Sequence, residues 1–179
     1  LYSLIQFSLL IYYIKSKRNE LKSSALDREY PMVTIQLPVY NEKYVIERLL
    51  DAVFLIDWPK ESFEIQILDD SNDQTTELIE KKLASFSSKG FNFKHIRRTN
   101  REGFKAGALA YGLSKSKGEY IAIFDSDFIP NPSFLKQTMG GFSNPKVGVV
   151  QTKWSHLNAD FSLLTKLQSF GLNNHFTVE

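Results

Sequence analysis

The sequence predicts an α/β fold, a mainly parallel sheet with helices on both faces. Three observations predict it. Short runs rich in β-branched and aromatic residues alternate with segments of helical composition. A length of 179 residues with 42% apolar and 23% charged residues suits one ordinary domain with its own core and excludes a disordered chain. Polar or acidic clusters follow three of the strand-like runs, where open α/β sheets collect their ligands.

Taken in order, residues 1–14 (LYSLIQFSLLIYYI) carry no charge before Lys15, Lys17 and Arg18. The run is shorter than the roughly 20 apolar residues of a full membrane span. Its basic residues follow rather than precede it, as on the cytoplasmic side of a span and unlike a secretory signal. We read it as the end of a transmembrane helix, a buried amphipathic helix being the alternative. Residues 15–30 read as a polar connector, and the folded part, 31–179, begins at Pro31.

Met32–Leu37, Glu64–Leu68, Phe93–Ile96, Tyr120–Phe124 and Val147–Thr152 read as strands. Tyr44–Phe54 places Val45, Ile46, Leu49, Leu50 and Val53 at helical spacing, and Thr75–Phe86 and Phe104–Leu113 are helical in composition. Residues 160–179 show near-helical apolar spacing and end without a cap, so the chain is expected to continue.

Charge and composition exclude several classes. Lys+Arg 22 against Asp+Glu 20 leaves a net charge of +2, too balanced for a nucleic-acid binder. Without cysteine there is no disulfide, thiolate zinc site or cysteine nucleophile. His95, His156 and His175 lack zinc-ligand spacing, and His95 and His175 read as structural. No glycine-rich phosphate loop, GxGxxG or GxSxG is present, which disfavours Walker-type and dinucleotide-binding readings.

The clusters carry the chemistry. Pro38-Val39-Tyr40-Asn41-Glu42 follows the first strand, Asp69-Asp70-Ser71-Asn72-Asp73 the second, and Asp125-Ser126-Asp127 the fourth. Were the strand to persist through Asp125 and Asp127, both would project from one face about 7 Å apart. Carboxylates about 5 Å apart repel by roughly 3 kcal/mol at an effective dielectric near 20. Solvent or a divalent cation would offset that, and Mg²⁺ typically takes one or two carboxylates plus phosphate oxygens.

In order and spacing, PVYNE, LDDSND, NREGFKAGAL and FDSDF together resemble glycosyltransferase family 2, whose members have the GT-A fold. The segment from Val149 onward looks most like the membrane-bound, cellulose-synthase-like branch of glucomannan and xyloglucan-backbone synthases. The resemblance covers about residues 31–179. It implies a nucleotide pocket at Pro38, Tyr40, Glu42, Asp69 and Asp70, with Asp70 the better acidic contact. Lys105 of the KAG segment would lie near the diphosphate, Asp127 would bind the metal, and Asp125 would contact ribose or metal. Gln151 and Trp154 are candidates for a sugar or acceptor wall.

The implied activity is inverting transfer of a hexose from a UDP-glucose or GDP-mannose type of donor to a glycan or lipid acceptor. It would be assisted by Mg²⁺ or Mn²⁺, with the catalytic domain anchored at a membrane and facing the cytosol. Nothing after FDSDF matches the family's base motif, so the base is expected beyond Glu179 and residues 1–179 alone are expected to be inactive. A noncatalytic nucleotide-sugar-binding module and a nucleotidyltransferase are the alternatives.

Overall fold

The computed structural model describes Phe7, Ser8, Ile11 and residues 30–178, with side chains through Leu172. The expected membrane segment 1–14 and connector 15–30 therefore lie almost wholly outside the described residues. Among these, no helix is long and apolar enough to cross a membrane. They fall into two compact units, residues 30–140 and residues 141–178 with the three N-terminal positions.

The first unit is a parallel sheet of β1 (Val33–Val39), β2 (Phe63–Asp69), β3 (Phe93–Arg97) and β4 (Tyr120–Ile123) in the order β3-β2-β1-β4. Helices α1 (Ile46–Phe54), α2 (Thr75–Phe86) and α3 (Phe104–Leu113) make the crossovers. The first two crossovers step from β1 outward to β3, and the third returns past β1 to β4. Right-handed connections then put α1 and α2 on one face and α3 on the other. The packing agrees: α1 lies against α2, while α3 lies against β1 and β2.

Strand alternation separates two kinds of interior. On the α1/α2 face, Val33, Ile35 and Leu37 of β1 and Phe63, Ile65 and Ile67 of β2 are buried. They meet the stripe Ile46, Leu49, Leu50 and Val53 of α1 and Ile79 and Leu83 of α2. Burying each such side chain stabilises by about 1.5–3 kcal/mol. Phe54 closes this layer, stacked on Phe86 at 3.8 Å and edge-on to Phe91 at 4.8 Å.

The α3 face is polar. Thr34, Gln36, Glu64 and Gln66 are all buried there. Thr34 Oγ1 and Lys117 N donate to Glu64 Oε1 at 2.9 and 2.7 Å, Lys94 Nζ to Glu64 Oε2 at 3.0 Å, and Gln36 Nε2 to Gln66 Oε1 at 3.1 Å. Helix α3 sits close over this strip because it presents Ala108 and Gly112. A Cβ at Gly112 would meet Gln36 Nε2 at 2.7 Å and Leu68 at 2.8 Å.

Pro38 shapes the end of the sheet. Gln36 O accepts from Phe124 N at 3.2 Å, so the even positions of β1 bond toward β4. Pro38 falls on that side without an N–H, and the pairing of β1 with β4 ends at Gln36 and Ile123. The ladder stops at the point where the strand order reverses, which opens the crevice in which open α/β sheets bind ligands.

After β4 the chain forms the short helix α4 (Phe134–Thr138). In the second unit, α5 (Leu163–Val178) confirms the helical period of that segment. Ser162 and Thr165 cap it reciprocally: Thr165 N donates to Ser162 Oγ at 3.2 Å and Ser162 N to Thr165 Oγ1 at 2.9 Å. The expected fifth strand is absent from the described residues. Val147 N closes a turn onto Asn144 O at 2.9 Å, and 147–152 forms no regular element and no ladder bonds, with Val149 81% exposed. β-Branched composition supplies a fit to a pleated surface, but a strand needs a partner to pair with.

Candidate functional site

The tips of β1, β2 and β4 and the start of α3 meet at one edge of the sheet, and the segment Arg98–Lys105 holds them together. Arg98 grips Asp70 at the β2 tip, with Nε donating to Oδ1 at 2.9 Å and Nη2 bonded to Oδ2. Arg101 lies over the Tyr40 ring at the β1 tip, its Cζ 3.2 Å from the centroid. Lys105 Nζ is ion-paired with Asp125 Oδ1 beyond β4. One basic segment thus reaches three strand ends.

The turn before α3 makes this reach possible. Gly103 and Phe104 both have positive φ, 68° and 48°. For a phenylalanine that is a strained conformation. Arg98 fastens the turn by donating to Glu102 O at 2.9 Å and Phe104 O at 3.0 Å. Gly107 leaves room beneath, since a Cβ there would stand 2.0 Å from Glu102 O. An open cavity of about 520 Å³ adjoins this turn, lined by Arg98, Asn100, Glu102, Gly103, Gly107 and Tyr111 among others. The Asp70 pair raises the Arg98 pKa further above its ordinary value.

The two adjacent acids Asp69 and Asp70 face opposite ways. Asp69 is buried, accepting from Ser71 N at 2.9 Å, Thr76 Oγ1 at 2.7 Å and His95 Nε2 at 3.0 Å. Burial alone would raise its pKa, but the hydrogen bonds from His95, Ser71 and Thr76 outweigh that and lower it to about 2. Ser71 Oγ in turn accepts from Asn41 N at 2.9 Å, and the Asn41 side chain donates from Nδ2 to Asn72 Oδ1 at 2.9 Å and accepts from Asn72 N at 3.0 Å. The Asp69 carboxylate is fully occupied inside the protein, and it organises the loops that present Tyr40 and Asp70.

At the remaining positions, Pro38 is buried at the end of β1 and Tyr40 is 37% exposed. Glu42 is half-buried, and its carbonyl starts α1 by accepting from Val45 N and Ile46 N. The strand does not persist through Asp125 and Asp127, because β4 ends at Ile123 and Phe128 N closes a turn onto Asp125 O at 3.0 Å. The condition for both carboxylates projecting from one strand face is therefore not met. Lys105 offsets the charge of Asp125, while Asp127 is exposed and bonded to no side chain among the described residues.

Among the described residues no three of His, Cys, Asp and Glu cluster as a metal site, so a cation here would need phosphate or water oxygens as well. Asp127, a free hard-oxygen donor beside the neutralised Asp125, fits that requirement. Gln151 and Trp154 lie exposed in the second unit. His95 is structural, as the sequence indicates; the His175 side chain lies outside the described residues. Arg98 and Arg101 escape the sequence reading, although the basic positions 97, 98, 101 and 105 bracket the glycine-containing turn.

The comparisons with known proteins bear on this geometry. The Glycosyl transferase family 2 model matches residues 34–177. The chain is 42% identical over 173 residues to glucomannan 4-beta-mannosyltransferase 1 of Cyamopsis tetragonoloba, covering 94% of this chain and 32% of that protein. It is 44% identical over 155 residues to glucomannan 4-beta-mannosyltransferase 9 of Arabidopsis thaliana, covering 84% and 29%. The chain thus spans about a third of the length of the curated relatives it matches. Among solved structures, the mannosyltransferase PcManGT from Pyrobaculum calidifontis, in complex with GDP-Man and Mn²⁺, superposes with a TM-score of 0.67 at 28% identity, covering 84% of this chain and 46% of that one. S. aureus TarS 1-349 in complex with UDP-GlcNAc gives 0.55 at 25% identity, covering 70% and 38%.

Proposed function

The chain belongs to glycosyl transferase family 2, and from that premise we propose that it is the donor-binding part of an inverting hexosyltransferase. The donor is a nucleoside-diphosphate sugar, GDP-mannose foremost, and the acceptor is a glycan hydroxyl. The observation that carries the reading is the convergence of Asp70, Tyr40 and Asp125 at the strand tips, joined by Arg98, Arg101 and Lys105, with Asp127 exposed two residues after Asp125. The relatives named as mannosyltransferases, and the neighbour bound to GDP-Man and Mn²⁺, support mannose over glucose.

Each residue has a task in this reading. Tyr40, Asp70 and Glu42 border the nucleoside, and Asp69 holds their loops in place. Lys105 and the positive end of the α3 dipole face the diphosphate. Asp127, with Asp125, would hold Mg²⁺ or Mn²⁺, which when bound would offset charge on the leaving diphosphate. Without a cation, a diphosphate oxygen about 4 Å from Asp127 would be repelled by roughly 4 kcal/mol per charge pair at an effective dielectric of 20. No described residue is assigned as the general base, and Gln151 and Trp154 remain candidates for the sugar or acceptor wall. The uncharged run before Lys15 supports a membrane anchor with the domain on the cytosolic side.

Calorimetric titration of GDP, UDP and GDP-mannose, with and without Mn²⁺, tests the assignment. We expect GDP to bind more tightly with Mn²⁺ and Asp127→Ala to remove at least about tenfold of that affinity, a loss of about 1.4 kcal/mol. Metal-independent binding that the substitution leaves untouched would refute the assigned site.

A further inference from the structure

Every other arginine or lysine that reaches the strand tips from β3 or the α3 turn is engaged with a carboxylate. Arg97 Nε lies 3.7 Å from Asp69, Arg98 holds Asp70 and Lys105 holds Asp125. Arg101 is exposed and forms no ion pair among the described residues. It contacts rings instead, with Cζ 3.2 Å from the Tyr40 centroid and 5.1 Å from that of Phe104.

The main chain is bent to produce this arrangement. Phe104 N donates to Arg101 O at 3.0 Å, closing a turn whose last residue is a phenylalanine at φ 48° and 65% exposed. Arg98 clamps that turn from below, and Gly107 has no room for a side chain. A left-handed aromatic costs on the order of 1–2 kcal/mol, and it is kept where the ring accounts for little burial. What the turn achieves is to present Arg101 between the β1 tip and the first residue of α3.

We propose that Arg101 is a further donor-binding residue, a guanidinium held on an aromatic platform for the diphosphate of the nucleotide. The inference rests on the donor-binding reading above. A ring beneath the guanidinium fixes its plane and leaves its in-plane N–H groups available, the geometry that matches phosphate oxygens two at a time. Pre-ordering on Tyr40 reduces the side-chain freedom lost when the anion binds. The remaining rim is acidic, with Glu42 and Asp127 uncompensated by any side chain among the described residues, so a cation free of carboxylates adds to what Lys105, shared with Asp125, can offer an incoming diphosphate.

The test compares GDP and guanosine binding, in the presence of Mn²⁺, by the full chain and its Arg101→Ala and Arg101→Lys variants. Arg101→Ala should weaken GDP binding about ten- to thirtyfold and change guanosine binding less than about twofold. Arg101→Lys, charged but without the planar fork, should recover part of the loss. A wild type that binds neither GDP nor UDP would overturn the proposed function and this inference with it. Wild-type GDP binding that Arg101→Ala leaves unchanged, tightens, or weakens equally with guanosine would overturn the inference alone, making Arg101 a surface residue, a cover over Tyr40 or a base contact.

Discussion

Replacing Asp69 by asparagine should destabilise the protein in a pH-dependent way. The carboxylate lies within the fold on three hydrogen bonds, and its pKa is lowered from 3.8 to about 2. That difference corresponds to about 2.4 kcal/mol favouring the folded state once the group is ionised in both states. The contribution is complete above pH 4–5 and is lost as pH falls through the folded value near 2. At pH 3 about half of it, roughly 1.3 kcal/mol, survives. Asparagine keeps the shape but cannot ionise, so the wild type should exceed Asp69→Asn by about 2 kcal/mol at pH 7 and by about half of that at pH 3. Urea unfolding followed by far-ultraviolet circular dichroism at the two pH values measures both gaps. Gaps of equal size would show that the carboxylate's charge is not what His95, Ser71 and Thr76 stabilise. Because Ser71 Oγ also accepts from Asn41 N, the same variant should bind donor nucleotide more weakly at pH 7.

Gly107→Ala should lower the melting temperature and weaken GDP binding together, because the new Cβ would stand 2.0 Å from Glu102 O and 2.7 Å from Arg98 Nη1. Displacing backbone at that distance costs about 1–3 kcal/mol, and an unchanged melting temperature would contradict the packing. Glu64→Ala should cost on the order of 3 kcal/mol in chemical denaturation, since it leaves Lys94, Thr34 and the Lys117 N–H without their acceptor. Glu64→Gln, which keeps an acceptor oxygen, should cost less, and equal losses for the two would argue against the hydrogen-bond account.

How much of this the sequence discloses depends on the range of the interaction. The four strands and the helices Thr75–Phe86 and Phe104–Leu113 are legible because period and composition act within each segment. The partners on the polar face are not, because Thr34 meets Glu64 and Gln36 meets Gln66 thirty positions on, which only the parallel register decides. The run Val147–Thr152 has the composition of a strand but no pairing, and pairing cannot be read from composition.

The Asp69-Asp70 pair shows where sequence reasoning could have gone further. Side chains alternate along β2, so Asp69 shares the face of Ile65 and Ile67, beneath α2, where Thr76 and His95 receive it. Asp70 shares the face of Leu68, toward α3. Because Asp69 pairs in register with Arg97, the last residue of β3, the position directly after that strand is Arg98, the residue that holds Asp70. Alternation alone thus separates the acid that organises the loops from the one that borders the site, once the strand is assigned. The same rule fails one strand away: Asp70 and Arg98 directly follow the last residue of their strands, whereas β4 ends at Ile123 and a turn closed by Phe128 N on Asp125 O breaks the period before Asp127. The placement of Asp125 comes instead from Lys105, twenty residues earlier in the chain, and that contact exists only because the Gly103-Phe104 turn aims the first turn of α3 at the β4 tip.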